Sequence, residues 1–276
     1  MIKEFKINKI ISFGNENFSK SDNLAIEEPL EIAVKSSFFG EKSSVSVTMR
    51  TPENDKELAV GFLFTEGIIF SRKNLDQKVS SQIEDNKITV NFSSDFNPDL
   101  QKLKRNFYTT SSCGVCGKES IEAIKQVCRI PILKSEIPVK IKVLFSLTEK
   151  LLNVQKTFES TGGIHASALF DLDGNLLNFR EDVGRHNALD KLIGSELLKY
   201  DGEDFSLKNR IVLLSGRASF ELIQKCAMAG VPIICAIGAP SSLAVETAEN
   251  FGITLVGFLK NGNANIYCGT EKLDLN

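Results

Sequence analysis

Two cysteines spaced by two residues are the side chains of this 276-residue chain best suited to chemistry. Cys113 and Cys116 lie in the stretch TTSSCGVCG, residues 109–117, whose small residues predict a mobile, exposed loop. Two sulfurs at this spacing point to one place, which suits zinc, a disulfide or the carriage of a sulfur atom. The spacing alone does not choose among these three.

Other residues of the sequence help to distinguish zinc binding, a redox disulfide and sulfur carriage. A structural zinc needs four ligands, yet the chain offers no second Cys-x-x-Cys pair and only two histidines, His165 and His186. A dithiol redox pair at the start of a helix fits the surrounding sequence loosely. Lys118 and the N-terminus of the predicted following helix should favour the thiolate, which suits a carrier that must reach a partner protein. Unreactive loop thiols are the remaining alternative.

A second polar cluster lies at residues 160–194. His165 and His186 both lie near glycines, and Glu181, Asp182, Arg185 and His186 fall within six residues just before a predicted helix. Glycine beside a polar side chain often marks close approach of the backbone to a ligand, although each histidine is also explained by a structural role. The zinc nucleoside deaminases use His-x-Glu, whereas this chain has His165-Ala166-Ser167 without the proton-carrying carboxylate. Deaminase chemistry is therefore not expected.

A third cluster follows two apolar runs. The segments SGRAS (215–219) and GAPSS (238–242) each end a predicted strand and open a helix, so unpaired backbone N–H groups should face outward there. Arg217 and Lys260 could pair with a phosphate at the same edge of the sheet. The segments predict an anion pocket that includes Ser215, Gly216, Gly238 and Ser241, and ordinary turns are the alternative.

Hydrophobic periodicity predicts the elements that must position these residues. In the first part we expect strands at 31–37 and 44–50, a helix from an Asn54 N-cap to Gly67, and a hairpin within 76–92. Ser146 and Glu149 have capping-box spacing, which predicts a helix of about three turns. A hairpin turning at Asp173-Gly174 and a helix from His186 follow. Strands at 210–216, 231–238 and 253–259 then alternate with helices at 218–229 and 241–251, which predicts a partly parallel sheet covered by helices.

Bulk composition excludes several classes of function. The chain has 33 basic and 35 acidic side chains, so no general attraction to nucleic acid is expected. No secretory leader and no stretch of about 20 apolar residues is present, which predicts a cytoplasmic protein without a membrane span. Cys128, Cys226 and Cys235 follow apolar patterns and are predicted to pack in the core, while Cys268 is ambiguous.

The three clusters together resemble a known family. TTSSCGVCGK, GGIHASALFD with EDVGRHNALDKLIG, LLSGRASFELIQKCAMAGVPII with GAPSSLAV, and GFLKNGNANIY are similar, in order, to signature segments of the formate dehydrogenase accessory sulfurtransferase (FdhD) family. The similarity runs from about residue 28 to NIYCG and covers nearly the whole chain. It implies a sulfurtransferase that takes persulfide sulfur from a cysteine desulfurase. The acceptor would be the molybdenum bis(molybdopterin guanine dinucleotide) cofactor that formate dehydrogenase needs.

The resemblance also implies roles for single residues. Cys113 becomes the persulfide cysteine and Cys116 a relay or supporting thiol. Apart from the resemblance, our own hypothesis is that the turns at 215–219 and 238–242 help hold the cofactor and that His165, Arg185 and His186 steer the terminal sulfur or its proton. The family often has arginine in its C-terminal cofactor-binding segment, which here consists of Phe258, Leu259, Lys260, Asn261, Gly262 and Asn263.

For the fold we expect an α/β protein with two parts. Residues 1–140 should form a smaller, mostly β part with the cysteine loop, and residues 141–276 an α/β domain. The resemblance implies that this α/β domain has a cytidine-deaminase-like sheet without the zinc site. A homodimer is expected. A dithiol-disulfide oxidoreductase and a non-catalytic cofactor chaperone remain the alternative functions.

Overall fold

A computed structural model describes residues 1–10, 17–38, 42–76, 81–84, 86–98, 138–260 and 262–275. The predicted loop at 109–117 lies outside these residues, and so do Cys113, Cys116, Cys128 and Asn261. The strands are β1 (Ile2–Ile10), β2 (Asn17–Ala25), β3 (Glu28–Lys35), β4 (Ser43–Arg50), β5 (Ser81–Glu84), β6 (Lys87–Asn91), β7 (Val139–Lys140), β8 (His165–Phe170), β9 (Leu176–Asp182), β10 (Ile211–Leu214), β11 (Ile233–Ala236), β12 (Thr254–Lys260), β13 (Asn263–Cys268) and β14 (Leu273–Asp274). The helices are α1 (Asp55–Thr65), α2 (Ile141–Leu152), α3 (Lys156–Thr161), α4 (Arg185–Lys199), α5 (Phe220–Met228) and α6 (Ser242–Phe251), with 3₁₀ turns at Arg72–Asn74 and Thr270–Lys272.

One six-stranded sheet organises the second part of the chain. Its strand order is β13-β12-β11-β10-β8-β9, with β10, β11 and β12 parallel to one another. Strands β8, β9 and β13 complete it in antiparallel pairing. The predicted alternation of short strands and helices is confirmed, and the parallel strands place their carboxyl ends, with the turns that follow them, at one edge.

Both faces of this sheet are covered, because residues along each strand alternate between two cores. On β10, Val212 and Leu214 belong to a core shared with α1 and α4, whereas Ile211 and Leu213 belong to a second core with Leu144 and other residues of α2. The core that contains α1 also includes residues of β3 and β6 from the first part of the chain.

The first part forms a four-stranded sheet of order β4-β3-β6-β5, beside a separate β1-β2 ribbon. β3 pairs with β4 antiparallel and with β6 parallel, and the predicted hairpin within 76–92 is confirmed as β5-β6. The division at residue 140 stays a prediction, and the two parts share one of the two buried cores.

Two glycines bring helices α1 and α4 together at their backbones. A Cβ on Gly61 would collide with the carbonyl oxygen of Asp190, and one on Gly194 would collide with that of Glu57. The Gly194 Cβ would also lie 2.7 Å from the Gly61 backbone nitrogen. The missing side chains therefore set the separation of the helices, and through it the distance between the two parts of the chain.

Two predictions about helix starts are wrong in their details. Ser146 lies inside α2 and does not cap it, because its hydroxyl donates back to the Val143 carbonyl oxygen (2.8 Å). The predicted helix is also two helices, since α2 ends at Leu152 and α3 begins at Lys156. Asn54 does hold the N-cap position of α1, but its side chain makes no capping hydrogen bond and its backbone is left-handed, with φ 58°.

The prediction that Cys226 and Cys235 pack in the core is confirmed. Cys226 and Cys235 are fully buried, and burial raises the pKa of both thiols, that of Cys235 to about 12. The Cys268 thiol is half-buried and donates to the Ile253 carbonyl oxygen (3.2 Å), and burial raises its pKa as well. These three thiols therefore stay protonated at neutral pH and make poor nucleophiles.

None of the helices in the described ranges combines the length and the apolar character that crossing a membrane requires.

Replacing Gly61 by alanine should destabilise the protein strongly. In an exposed helix this change would stabilise by up to about 1 kcal/mol. Here the methyl group must push two helix backbones apart, so we expect the free energy of unfolding to fall by about 3 kcal/mol or more. Urea denaturation of the two proteins measures the difference.

Gly163→Ala is the matched control. A Cβ at this exposed glycine would have its nearest neighbour 3.7 Å away, so stability should change by no more than about 0.5 kcal/mol. Equal stabilities of Gly61→Ala and Gly163→Ala would contradict the role of the helix crossing.

Candidate functional site

The start of β8 meets the end of β10 at the edge of the sheet, and this junction places His165. The two strands pair antiparallel, with Ser167 opposite Leu214. Ser215 extends the pairing, because its N–H donates to the Ala166 carbonyl (2.9 Å) and its hydroxyl accepts from the Ala166 N–H (2.8 Å). A Cβ on Gly216 would lie 3.2 Å from His165 Nδ1, so the glycine lets the imidazole pack against the backbone. The Ser215 hydroxyl thus stabilises the junction between β8 and β10.

The two predicted anion-binding turns are joined to each other by their backbones. Gly238 N–H donates to the Gly216 carbonyl (3.0 Å), Ala218 N–H to Ala239 (3.1 Å) and Ser241 N–H to Ala218 (3.0 Å). The prediction that these turns present unpaired N–H groups is wrong for these three amides. Parallel pairing continues beyond the strand ends as a bridge between Ala218 and Pro240. A ligand at this edge would therefore be held mainly by side chains.

Arg217 is the exposed cation of these turns. A Cβ on Gly238 would lie 3.1 Å from Arg217 Cα and Cγ, so the glycine makes room for the arginine. Ser241 is exposed too, but its hydroxyl accepts from the Ala244 N–H (3.3 Å) and caps α6. Arg217 is therefore the better candidate of the two for contact with an anion.

The predicted cofactor-binding segment joins the same edge through Phe258. Its N–H donates to the Gly238 carbonyl (3.1 Å), its φ is 52° and 47% of the residue is exposed. A left-handed conformation is costly for an aromatic residue, and such strain often occurs at functional sites. Leu259 is 1% exposed and packs in the core with α2, whereas Lys260, Gly262 and Asn263 are exposed.

The start of α4 brings the second histidine to this region. His186 Nε2 lies 3.3 Å from the hydroxyl of Ser219, the N-cap residue of α5, and 3.9 Å from Glu221 Oε2. A Cβ on Gly184 would lie 3.0 Å from Asn187 Nδ2, which is a tight contact. The turn before α4 is thus packed tightly, and it directs Arg185 and His186 toward the start of α5.

Both imidazoles are neutral at pH 7. Burial and the nearby Arg185 charge lower the pKa of His165, against an opposing effect of Asp182. Burial, followed by the charges of Lys225 and Arg185, lowers the pKa of His186 to about 4. Each ring can therefore donate one hydrogen bond and accept another, depending on its tautomer.

Arg185 gives the site its clearest chemical preference. Its Nε is buried and has no hydrogen-bond partner within the ranges that the structure describes. A buried, unpaired N–H costs about 1–3 kcal/mol, so an acceptor from a ligand would be stabilised here. With Arg217 exposed in the turn after β10, the arrangement is suited to an anion.

Thr51, Asn187 and Lys191 are the residues that sequence reasoning missed. All three are buried and contact the turn that precedes Arg185 and His186: Thr51 through Val183, and Asn187 and Lys191 through Asp182. A signal was present in the helix pattern, since Asn187 and Lys191 interrupt apolar positions of a helix that is buried nearly all round. Buried polar residues of this kind need partners, but periodicity does not identify them.

No three side chains of His, Cys, Asp or Glu come together as a metal site would require in the part of the chain that the structure describes.

Comparisons with known proteins agree over nearly the whole chain. The model of the FdhD/NarQ family matches residues 25–274. A protein of Mycolicibacterium paratuberculosis named Sulfur carrier protein FdhD is 45% identical over 267 residues, which cover 94% of this chain and 95% of the relative. A protein of Picrophilus torridus with the same name is 44% identical over 263 residues, covering 95% and 96%.

A solved structure has the same fold. The crystal structure of a candidate formate dehydrogenase accessory protein from Desulfotalea psychrophila superposes with a TM-score of 0.75 and covers 99% of both chains. Its sequence is 24% identical, so this likeness concerns the fold alone. The α/β class is shown, while the likeness to cytidine deaminases stays a prediction.

The histidine pKa shifts predict a distinct titration. Proton NMR of the two imidazoles should show both midpoints below the ordinary 6.5, with that of His186 near 4. Below pH 6.5 the unfolded chain binds protons that the folded chain does not, so the free energy of unfolding should fall as the pH drops from 6.5 toward 4. The variant His165→Gln assigns the two signals, and a midpoint at or above 6.5 for either ring would contradict the site's electrostatics.

Proposed function

The chain belongs to the FdhD/NarQ family, and on that premise we propose that it is a sulfur carrier that delivers sulfur to an anionic acceptor at the candidate site. The observation that carries the proposal is the name Sulfur carrier protein FdhD, borne by relatives that are 41–45% identical over more than nine tenths of this chain. The Cys113-x-x-Cys116 pair supplies the matching chemistry.

The proposed donor is the persulfide of a cysteine desulfurase. The Cys113 thiolate attacks the outer sulfur, a new S–S bond forms, and the desulfurase cysteine leaves as a thiolate. The sulfur is then bound as a Cys113 persulfide, and the exchange needs no external oxidant or reductant. The buried or half-buried thiols of Cys226, Cys235 and Cys268 are poor alternatives, because burial keeps them protonated.

The proposed acceptor is the molybdenum bis(molybdopterin guanine dinucleotide) cofactor, which is a substrate of this reaction. The exposed Phe258 ring offers a flat apolar surface for guanine, and Arg217 and Lys260 offer cations for phosphate. The unpaired Arg185 Nε offers a buried donor to an anionic group. These side chains fit the chemistry of a nucleotide with an anionic end.

Delivery of the outer sulfur as sulfide needs two electrons. Attack of the Cys116 thiolate on the inner sulfur of the Cys113 persulfide would supply them, leaving a Cys113–Cys116 disulfide that a cellular dithiol reopens. The neutral His165 and His186 rings would hydrogen-bond the departing sulfur or steer its proton. Because donor and acceptor would be bound to one protein, proximity would supply much of the rate enhancement.

The biological setting follows from the same proposal. A cofactor that receives sulfur here would serve formate dehydrogenase, in line with the name of the Desulfotalea psychrophila protein as a formate dehydrogenase accessory protein. The cytoplasmic location and the homodimer stay predictions.

Incubation with a cysteine desulfurase and cysteine should add one sulfur to the protein. We expect a mass gain of about 32 Da that a reductant removes and that peptide mapping assigns to Cys113 or Cys116, because a cysteine thiolate accepts persulfide sulfur. Cys113→Ala should abolish the gain and leave binding of guanosine diphosphate unchanged.

Cys268→Ala is the control for thiol number, and it should load sulfur like the unaltered protein. Full loading of Cys113→Ala would contradict the proposed persulfide site. A Cys113–Cys116 disulfide that cycles with reductant in the absence of any desulfurase would favour an oxidoreductase. Active formate dehydrogenase produced with Cys113→Ser would favour a non-catalytic chaperone.

A further inference from the structure

Thr51 holds the turn before α4 from a distant part of the chain. It is 0% exposed and follows β4 directly. Val183 N–H donates to the Thr51 hydroxyl (3.1 Å), Thr51 N–H donates to Asp182 Oδ2 (3.1 Å), and Lys191 Nζ donates to the Thr51 carbonyl (2.7 Å). Its backbone N–H, carbonyl and hydroxyl therefore all bond to one segment, 131 to 140 residues later.

Asp182 fixes the same turn from within. Its carboxylate is 0% exposed, and Oδ1 accepts from the Gly184 N–H (2.8 Å) and from Asn187 Nδ2 (3.2 Å). Oδ2 pairs with Lys191 Nζ (2.7 Å), whose residue is 1% exposed. A buried ion pair with all these hydrogen bonds tolerates little movement, because any broken bond leaves a buried polar group unpaired.

Thr51 is itself presented by a strained and clamped turn. Glu53 and Asn54 have φ angles of 81° and 58°, which is costly for residues other than glycine. Arg50 closes this turn with hydrogen bonds to both carboxylate oxygens of Asp55, at 2.9 and 3.0 Å, and both residues are buried. Such strain persists only where surrounding contacts impose it, so the position of Thr51 is rigid.

The turn that these bonds hold leads directly into α4, whose first two residues are the site residues Arg185 and His186. From this geometry we propose that Thr51 is a positioning residue, whose hydroxyl holds Val183 so that Arg185 and His186 face the anionic end of the acceptor. The inference rests on the proposed function, since it names a residue outside the site on which acceptor binding there depends. The Asn187 side chain supports the same link, because Nδ2 donates to the Met49 carbonyl (2.7 Å) and Oδ1 accepts from the Thr48 hydroxyl (3.1 Å).

Two variants of Thr51 separate positioning from stability. Thr51→Val keeps the shape of the side chain and removes the oxygen that Val183 needs, whereas Thr51→Ser keeps the oxygen and removes a methyl group. Both changes should destabilise the protein, because the residue is fully buried. A structural role alone would leave ligand binding equal in the two variants.

The probe is guanosine diphosphate, and its dissociation constant is measured by calorimetry. We expect Thr51→Val to weaken binding about tenfold, as the loss of one buried hydrogen bond at a site does, while Thr51→Ser stays within about twofold of the unaltered protein. In the absence of ligand, the proton NMR signal of His186 should shift in Thr51→Val and keep its position in Thr51→Ser. If Thr51→Val fails to fold, Thr51→Ala removes the same oxygen and takes its place.

The outcomes distinguish this inference from the proposed function. Unchanged binding and an unchanged His186 signal in Thr51→Val would overturn the inference. If the unaltered protein does not bind guanosine diphosphate, the acceptor half of the proposed function fails. The His186 signal in the two variants then decides the positioning role by itself.

Discussion

Helices α1 and α4 meet backbone to backbone at Gly61 and Gly194, and this contact fixes how the two parts of the chain pack together. It lets two helices from different parts of the chain approach more closely than any side chain would allow. At that separation the β4–α1 turn and the turn before α4 come within hydrogen-bonding distance. The hydrogen bonds between Thr51 and the turn at Asp182 depend on that contact. The position of Arg185 and His186 depends on it in turn.

The site combines a rigid edge with exposed side chains. Backbone bonds between the turns after β10 and β11 hold the edge, so these amides add little to the binding of a ligand. Under the proposed function, binding would then rest on Arg185, Arg217 and Phe258, while the two imidazoles stay uncharged. Cations would attract an anionic acceptor, and the neutral rings could hydrogen-bond to a sulfur species without adding charge.

Local patterns in the sequence predicted most of the sheet and the residues at its edge. Short apolar runs identified β10, β11 and β12. The glycines beside His165 in the sequence did not mark a close approach, because a Cβ on Gly163 would have its nearest neighbour 3.7 Å away, and the glycine that lies against the His165 ring is Gly216. Ser146 misled the prediction because its hydroxyl had an alternative acceptor within the same helix. Thr51 could not be found, because its significance depends on partners more than 130 residues away.

The burial of the Asp182–Lys191 pair separates architecture from recognition in their response to ionic strength. Mobile ions cannot reach a pair that is almost fully shielded from solvent, so added salt leaves this link intact. Arg217 and Lys260 are exposed, and dissolved ions screen their attraction for a charged ligand. A rise in ionic strength would therefore shorten the time that the proposed acceptor stays bound without loosening the framework that receives it.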